Sequence, residues 1–131
     1  MAKNIFQKVT FPTTPERLYN LYLSAKEHGA ATGGDVRIEK KVGSAFKAFG
    51  GMLSGKILHL IPGRMIVQTW RSAKFYKSDP DSILILSFSK ARGGAQLELS
   101  HLQVPNQDYV GVKTGWPAYY WKPWAQYLKK K

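Results

Sequence analysis

The chain has 131 residues, 44% of them apolar, and carries a formal net charge of +12. That length fits one domain, 1–131, with a core that needs no covalent staple, and the apolar share excludes wholesale disorder. With no cysteine, disulfides and thiolate metal sites are excluded, and without a run of about 18 apolar residues no membrane helix is expected.

The first residues, MAKNIFQKVTF, lack the apolar stretch of a secretory leader. Together with the missing cysteines, this points to a cytoplasmic location. A basic surface attracts nucleic acid, anionic lipid or an acidic protein. Here lysine and arginine occur singly or in pairs, with one triplet at Lys129–Lys131. Such scatter reads as a solubilising surface, without the clustered stripe of a nucleic-acid-binding module.

Residues 3–11 alternate, with Ile5, Gln7, Val9 and Phe11 on one face, and predict a strand. Thr14 can cap a helix, Pro15 suits its first position, and Glu16 favours the positive end of its dipole. Leu18, Leu21 and Tyr22 follow at helical spacing, which predicts a helix over 15–23. Ser24 can cap a second short helix, stopped by Gly33-Gly34.

From Asp35 to Val104 the period becomes two. Strands are predicted over 35–40, 44–49, 53–61, 64–71, 82–90 and 95–104. Turn residues bound them at Val42-Gly43, Gly50-Gly51, Pro62-Gly63, Asp79-Pro80-Asp81 and Arg92-Gly93-Gly94. Short connections make neighbouring strands antiparallel. The longest irregular stretch, 72–81, either flanks a binding mouth or is an ordinary hairpin loop.

After Pro105, Asn106 can cap the last helical region, with Asp108 in its first turn. Gly115 and Pro117 predict a kink or restart. Trp116, Tyr120, Trp124, Tyr127 and Leu128 then share one helical face. Pro123 lacks an N–H and clashes with the Tyr119 carbonyl, so a bend is expected there. Trp121 falls off the stripe and is the aromatic residue most open to another role. Contact of this basic, aromatic segment with a membrane surface or single-stranded nucleic acid is the alternative to a helix packed on the core. A helix that covers the sheet cannot offer the same face to lipid. The predicted fold class is therefore α+β in the order β-α-α-β6-α, an antiparallel sheet whose apolar face is covered by the C-terminal helix.

Several pieces, in this order, resemble the START-like (SRPBCC) superfamily: Phe46-Lys47-Ala48-Phe49-Gly50-Gly51, Gly55-Lys56-Ile57, Thr69-Trp70-Arg71, Leu97-Glu98-Leu99-Ser100-His101, and Gly115-Trp116 followed by Tyr119-Tyr120. Within it the chain resembles the branch related to the C-terminal domain of the activator of the heat-shock-protein-90 ATPase. The resemblance implies a helix-grip fold, a curved antiparallel sheet around the long last helix with a cavity between. It also implies binding of lipids, polyketides, hormones or other apolar molecules, with cyclase or hydrolase activity in a few members and no universal catalytic residue. At this length the chain is expected to be the isolated domain, without the additional N-terminal domain of the eukaryotic chaperone activators.

The inward strand positions predict the walls of that cavity: Phe46; Ile66, Gln68 and Trp70; Leu84, Leu86 and Phe88; Leu97, Leu99 and His101. Trp116, Tyr120 and Trp124 face them. Any of these can equally be plain core, since most inward apolar residues only pack. Gln68 and His101 stand out because a buried polar group needs a partner, whether ligand, water or backbone carbonyl. Gln68, His101 or Tyr120 would orient one polar group of a ligand. The outward residues Met65, Val67, Ile83 and Ile85 can pack on the short helices or on a second subunit, so monomer and homodimer both stand.

His28, His59 and His101 are isolated in sequence and do not read as a metal site. No nucleophile elbow, P-loop or dinucleotide fingerprint is present, and no cofactor is expected. The leading expectation is a domain that binds a small hydrophobic molecule. The alternatives are a protein-interaction module contacting an acidic partner such as a chaperone, and a cyclase or hydrolase acting on an apolar substrate.

Overall fold

The computed structural model describes residues 2–129; of the terminal lysine triplet, Lys130 and Lys131 lie outside the described residues. The first strand, β1 (Ala2–Phe11), ends before Pro12. Thr14 stays extended, and its hydroxyl oxygen accepts the Arg17 N–H at 3.1 Å to open α1 (Pro15–Leu23). Ser24 repeats the device for α2 (Ala25–Thr32), accepting the Glu27 N–H at 3.2 Å. Gly33 ends α2 at φ 79°, a left-handed conformation that suits glycine.

Six further strands follow: β2 (Val36–Arg37), β3 (Ala45–Ala48), β4 (Leu53–Ile61), β5 (Met65–Ser72), β6 (Ser82–Ala91) and β7 (Gly94–Pro105). They form one seven-stranded sheet in the order β1-β7-β6-β5-β4-β3-β2, with every pair antiparallel. The sheet is curved, and the C-terminal helical segment lies in its concavity, as the helix-grip expectation requires. The strand expected over 35–40 is shorter than predicted. Only Val36 and Arg37 pair with Ala48 and Lys47 of β3. Between Ile57 and His59 the register of β4 against β5 slips by one, leaving Leu58 exposed.

The C-terminal region departs from one continuous helix. A 3₁₀ turn (Asn106–Asp108) leads into α3 (Tyr109–Gly115), a π-helical segment (Trp116–Trp121) and α4 (Lys122–Lys129). Asn106 lies inside the 3₁₀ turn and makes no side-chain capping bond there, contrary to the expected cap. The irregularity expected at Pro123 is taken up one turn earlier. Within the widened segment the Lys122 N–H bonds back to the Pro117 carbonyl, five residues away. A wider turn relieves the contact between the Pro123 ring and the Tyr119 carbonyl four residues before it.

This winding also corrects the expectation for Trp121. With an extra residue in the turn, both Tyr120 and Trp121 face the sheet. Trp121 is buried, stacks on Trp116 with ring centroids 5.4 Å apart, and donates its indole N–H to Gln7 at 2.7 Å. It is therefore not available as a free aromatic. The outward residues Met65, Val67, Ile83 and Ile85 are half-buried.

At Gly55 the backbone of β5 leaves no room for a side chain. A Cβ built there would stand 1.9 Å from the Thr69 carbonyl oxygen, a backbone atom that cannot move aside. Gly55→Ala should therefore lower the free energy of urea unfolding by about 1–3 kcal/mol. An unchanged midpoint would show that the strands do not approach this closely.

Candidate functional site

The inward face of the sheet presents Ile66, Leu84, Leu86, Phe88, Leu97 and Leu99, joined by Phe46 from β3. Against them pack Trp116, Tyr120, Trp121 and Trp124. Within this apolar mass lie two histidines, each fixed in one tautomer by its hydrogen bonds. The Tyr22 carbonyl can only accept, so the His28 Nδ1–H donates to it at 2.7 Å. Nε2 is then bare and accepts the Tyr120 hydroxyl at 2.9 Å. For His101 the order of the nitrogens is reversed. Ser82 spends its proton on the Trp70 carbonyl at 2.6 Å, so its oxygen accepts the His101 Nε2–H at 2.9 Å. His101 Nδ1 accepts the Trp116 indole N–H at 3.1 Å. Gln68 is equally occupied, accepting the Tyr22 hydroxyl at 2.5 Å and donating to the Thr69 carbonyl at 3.1 Å.

Beside this core lies a hollow of about 600 Å³, between the Leu53 end of β4, the Ser72 end of β5, and α3 with the π segment. Leu53, Trp70, Val112, Trp116 and the Tyr120 ring form its walls, while Met52 and Tyr119, both more than half exposed, form its rim. Three of the residues put forward from the sequence, Trp70, Trp116 and Tyr120, line it. Phe46, Ile66, Gln68, Leu84, Leu86, Phe88, Leu97, Leu99, His101 and Trp124 sit in the packed core instead.

The polar groups of the hollow were not evident from the sequence. Asp108 is only 4% exposed and accepts the Ser72 hydroxyl at 2.5 Å. Ser72 in turn accepts the Lys74 backbone N–H at 3.1 Å. In sequence, Asp108 is indistinguishable from an acid placed for a helix dipole, and Ser72 from a loop residue. His28 gave no signal either, beyond small neighbours on a short helix. The Trp70 and Trp124 indole N–H groups are buried without a partner among the described residues, each at a cost of about 1–3 kcal/mol. Among the described residues no three His, Asp or Glu side chains gather as a metal site, and no helix is long and apolar enough to cross a membrane. What the arrangement offers chemically is an aromatic, apolar surface with one carboxylate set into it.

Burial disfavours the charged form of both histidines. It lowers His28 from 6.5 to about 4, outweighing the Tyr22 carbonyl that favours the proton, and lowers His101 to about 3. In the unfolded chain both titrate near 6.5, so below that pH the unfolded state binds more protons than the folded one. Stability from this source is complete above pH 6.5 and is lost as pH falls towards 4 and then 3. The loss is up to about 1.4 kcal/mol per pH unit for each histidine. Urea midpoints measured from pH 7.5 to 4.5 should fall accordingly, and His101→Gln should flatten the slope. A flat wild-type profile would contradict the burial of neutral imidazoles.

The profile of the family described as "Activator of Hsp90 ATPase homolog 1-like protein" matches residues 12–129. "Activator of 90 kDa heat shock protein ATPase homolog 1" from Homo sapiens is 29% identical over 118 residues, covering 88% of this chain and 34% of that protein. The corresponding homolog from Dictyostelium discoideum is 25% identical over 115 residues, covering 88% of this chain and 30% of that protein. The chain thus spans about a third of the length of these curated relatives. The crystal structure of PFC0360w, an HSP90 activator from Plasmodium falciparum, matches with a TM-score of 0.83 at 22% identity, covering 98% of this chain and 96% of that one, a likeness of fold. On the profile match across nearly its whole length, and on the START-like architecture it shares with these proteins, the chain belongs to the Activator of Hsp90 ATPase homolog 1-like protein family.

Proposed function

We propose that residues 1–131 act as one cytoplasmic domain that binds a small apolar molecule in the hollow beside the C-terminal helix, as monomer or homodimer. The observation that supports this reading is the hollow itself. At about 600 Å³ with aromatic and aliphatic walls, it has the size and character of small-molecule sites. Binding draws on burial of apolar ligand surface, about 25 cal/mol per Å² before ordering costs. Trp70, Trp116 and Tyr120 touch the ligand, and the remaining inward residues form the wall behind them.

Ala118 lines the hollow and is exposed. Ala118→Trp should fill the space and abolish uptake of an apolar fluorescent dye such as anilinonaphthalene sulfonate. Its unfolding free energy should stay within about 0.5 kcal/mol of wild type. Dye binding as strong as in the wild type would reject the hollow as the site. Native mass spectrometry of protein purified from its own host would identify a co-purifying molecule.

A second reading is supported by the names of the human and Dictyostelium relatives, which align over 88% of this chain. In it the domain contacts a heat-shock-protein-90-type chaperone through its basic surface, consistent with the net charge of +12. Adding the protein to such a chaperone should raise its ATPase rate, and the association should weaken as salt shortens the Debye length from about 10 Å at 0.1 M to about 3 Å at 1 M. No association at low salt, or association indifferent to salt, would reject this reading.

A further inference from the structure

We propose that the hollow selects an apolar molecule carrying one protonated amine, received by Asp108. The inference rests on the ligand-binding reading above and specifies the ligand's chemistry.

Asp108 is the one carboxylate among the described buried residues. Its Oδ2 is taken by Ser72, while its Oδ1 accepts no hydrogen bond from the described residues. Oδ1 lies beside the lining of the hollow: a Cβ built on Gly111, itself a lining residue, would stand 3.4 Å from it. Asp108 occupies the N-cap position of α3 yet makes no side-chain capping bond, so its Oδ1 is not spent on the helix N–H groups. A carboxylate only 4% exposed, with one oxygen unpaired, is stabilised by a donor or a cation beside it.

Two hydroxyls of the lining are spent within the protein, while the Trp70 indole N–H is a buried donor without a partner among the described residues. The Thr114 hydroxyl donates to the Val110 carbonyl at 2.9 Å, and the Tyr120 hydroxyl donates to His28. Lys74 is exposed, and the described ion pairs, Arg17–Glu27 and Arg71–Asp81, do not include it. A ligand ammonium at Asp108 Oδ1 would sit in a lining that also includes the rings of Trp70, Trp116 and Tyr119. Rings and a carboxylate together favour a cation over a neutral or anionic head group.

The test uses three probes with one chain length, decylamine, decanol and decanoate, at pH 7. Tryptophan fluorescence reads binding directly, since Trp70 and Trp116 line the hollow, and calorimetry confirms it. Wild-type protein should bind decylamine about tenfold more tightly than decanol, as a charge-assisted hydrogen bond provides. In Asp108→Asn, which keeps an oxygen for the Ser72 hydroxyl, the ratio should fall to about one. Lys74→Gln should leave the preference intact or raise it. Decanol binding as tightly as decylamine, or decanoate binding more tightly, would overturn the amine assignment in the wild type alone, whatever the variants do, and would leave the hollow standing as an apolar site. Failure of all three probes to bind would overturn both readings.

Discussion

The structure depends on the packing of one aromatic face into one concave sheet. Trp116, Tyr120, Trp121 and Trp124 form a continuous ring-to-ring cluster, and Phe11 and Tyr22 extend it to β1 and α1. Each ring buries about 150–250 Å², worth about 4–6 kcal/mol of transfer free energy before conformational entropy is set against it. Helix α1 adds Leu18, Tyr19, Leu21 and Tyr22, all buried, to the same core. The exclusion of water by this contact sets the chemistry of every polar group near it.

Apolar packing alone would leave the helix free to slide or rotate by a turn. Two buried hydrogen bonds oppose that. His101 on β7 holds the Trp116 indole, and His28 on α2 holds the Tyr120 hydroxyl, one helical turn further on. Each histidine is fixed in its tautomer by a group that can only play one role, a carbonyl for His28 and a proton-spent serine for His101. Satisfied polar groups of this kind specify one arrangement of a core that apolar contacts would tolerate in several. The π segment serves the same end. Its wider turn lets Tyr120 reach His28 while Trp121 reaches Gln7.

The hollow exists where this packing stops. Along α3 and the start of the π segment, Gly111, Gly115 and Ala118 stand where larger side chains would otherwise close the gap against β4 and β5. The aromatic residues that begin at Trp116 form one wall, and the strand residues Leu53 and Trp70 the other. A single enclosed carboxylate in such a space gives it a chemical preference that the apolar walls alone would lack.

The sequence by itself determined the order of elements, the bounds of α1 and the inward positions of the long strands. These follow from local chemistry: Thr14 and Ser24 as caps, alternation along β5 to β7, and turn residues between them. It also determined that Trp116, Tyr120 and Trp124 would face the sheet. Only the tertiary structure decided what the inward polar groups do. Gln68 and His101 are recognisable in sequence as buried polar residues, but their partners, Tyr22, Ser82 and Trp116, come from distant segments, so pairing among them depends on the folded geometry. Trp121 changes from an outlying residue to a core residue because Pro117 and Pro123 favour a wider helical turn, which no 3.6-residue periodicity anticipates. Asp108 and Ser72 lie 36 residues apart, and neither carries a local pattern. Their pairing in a water-poor space exists only once the sheet curves and α3 closes over its edge.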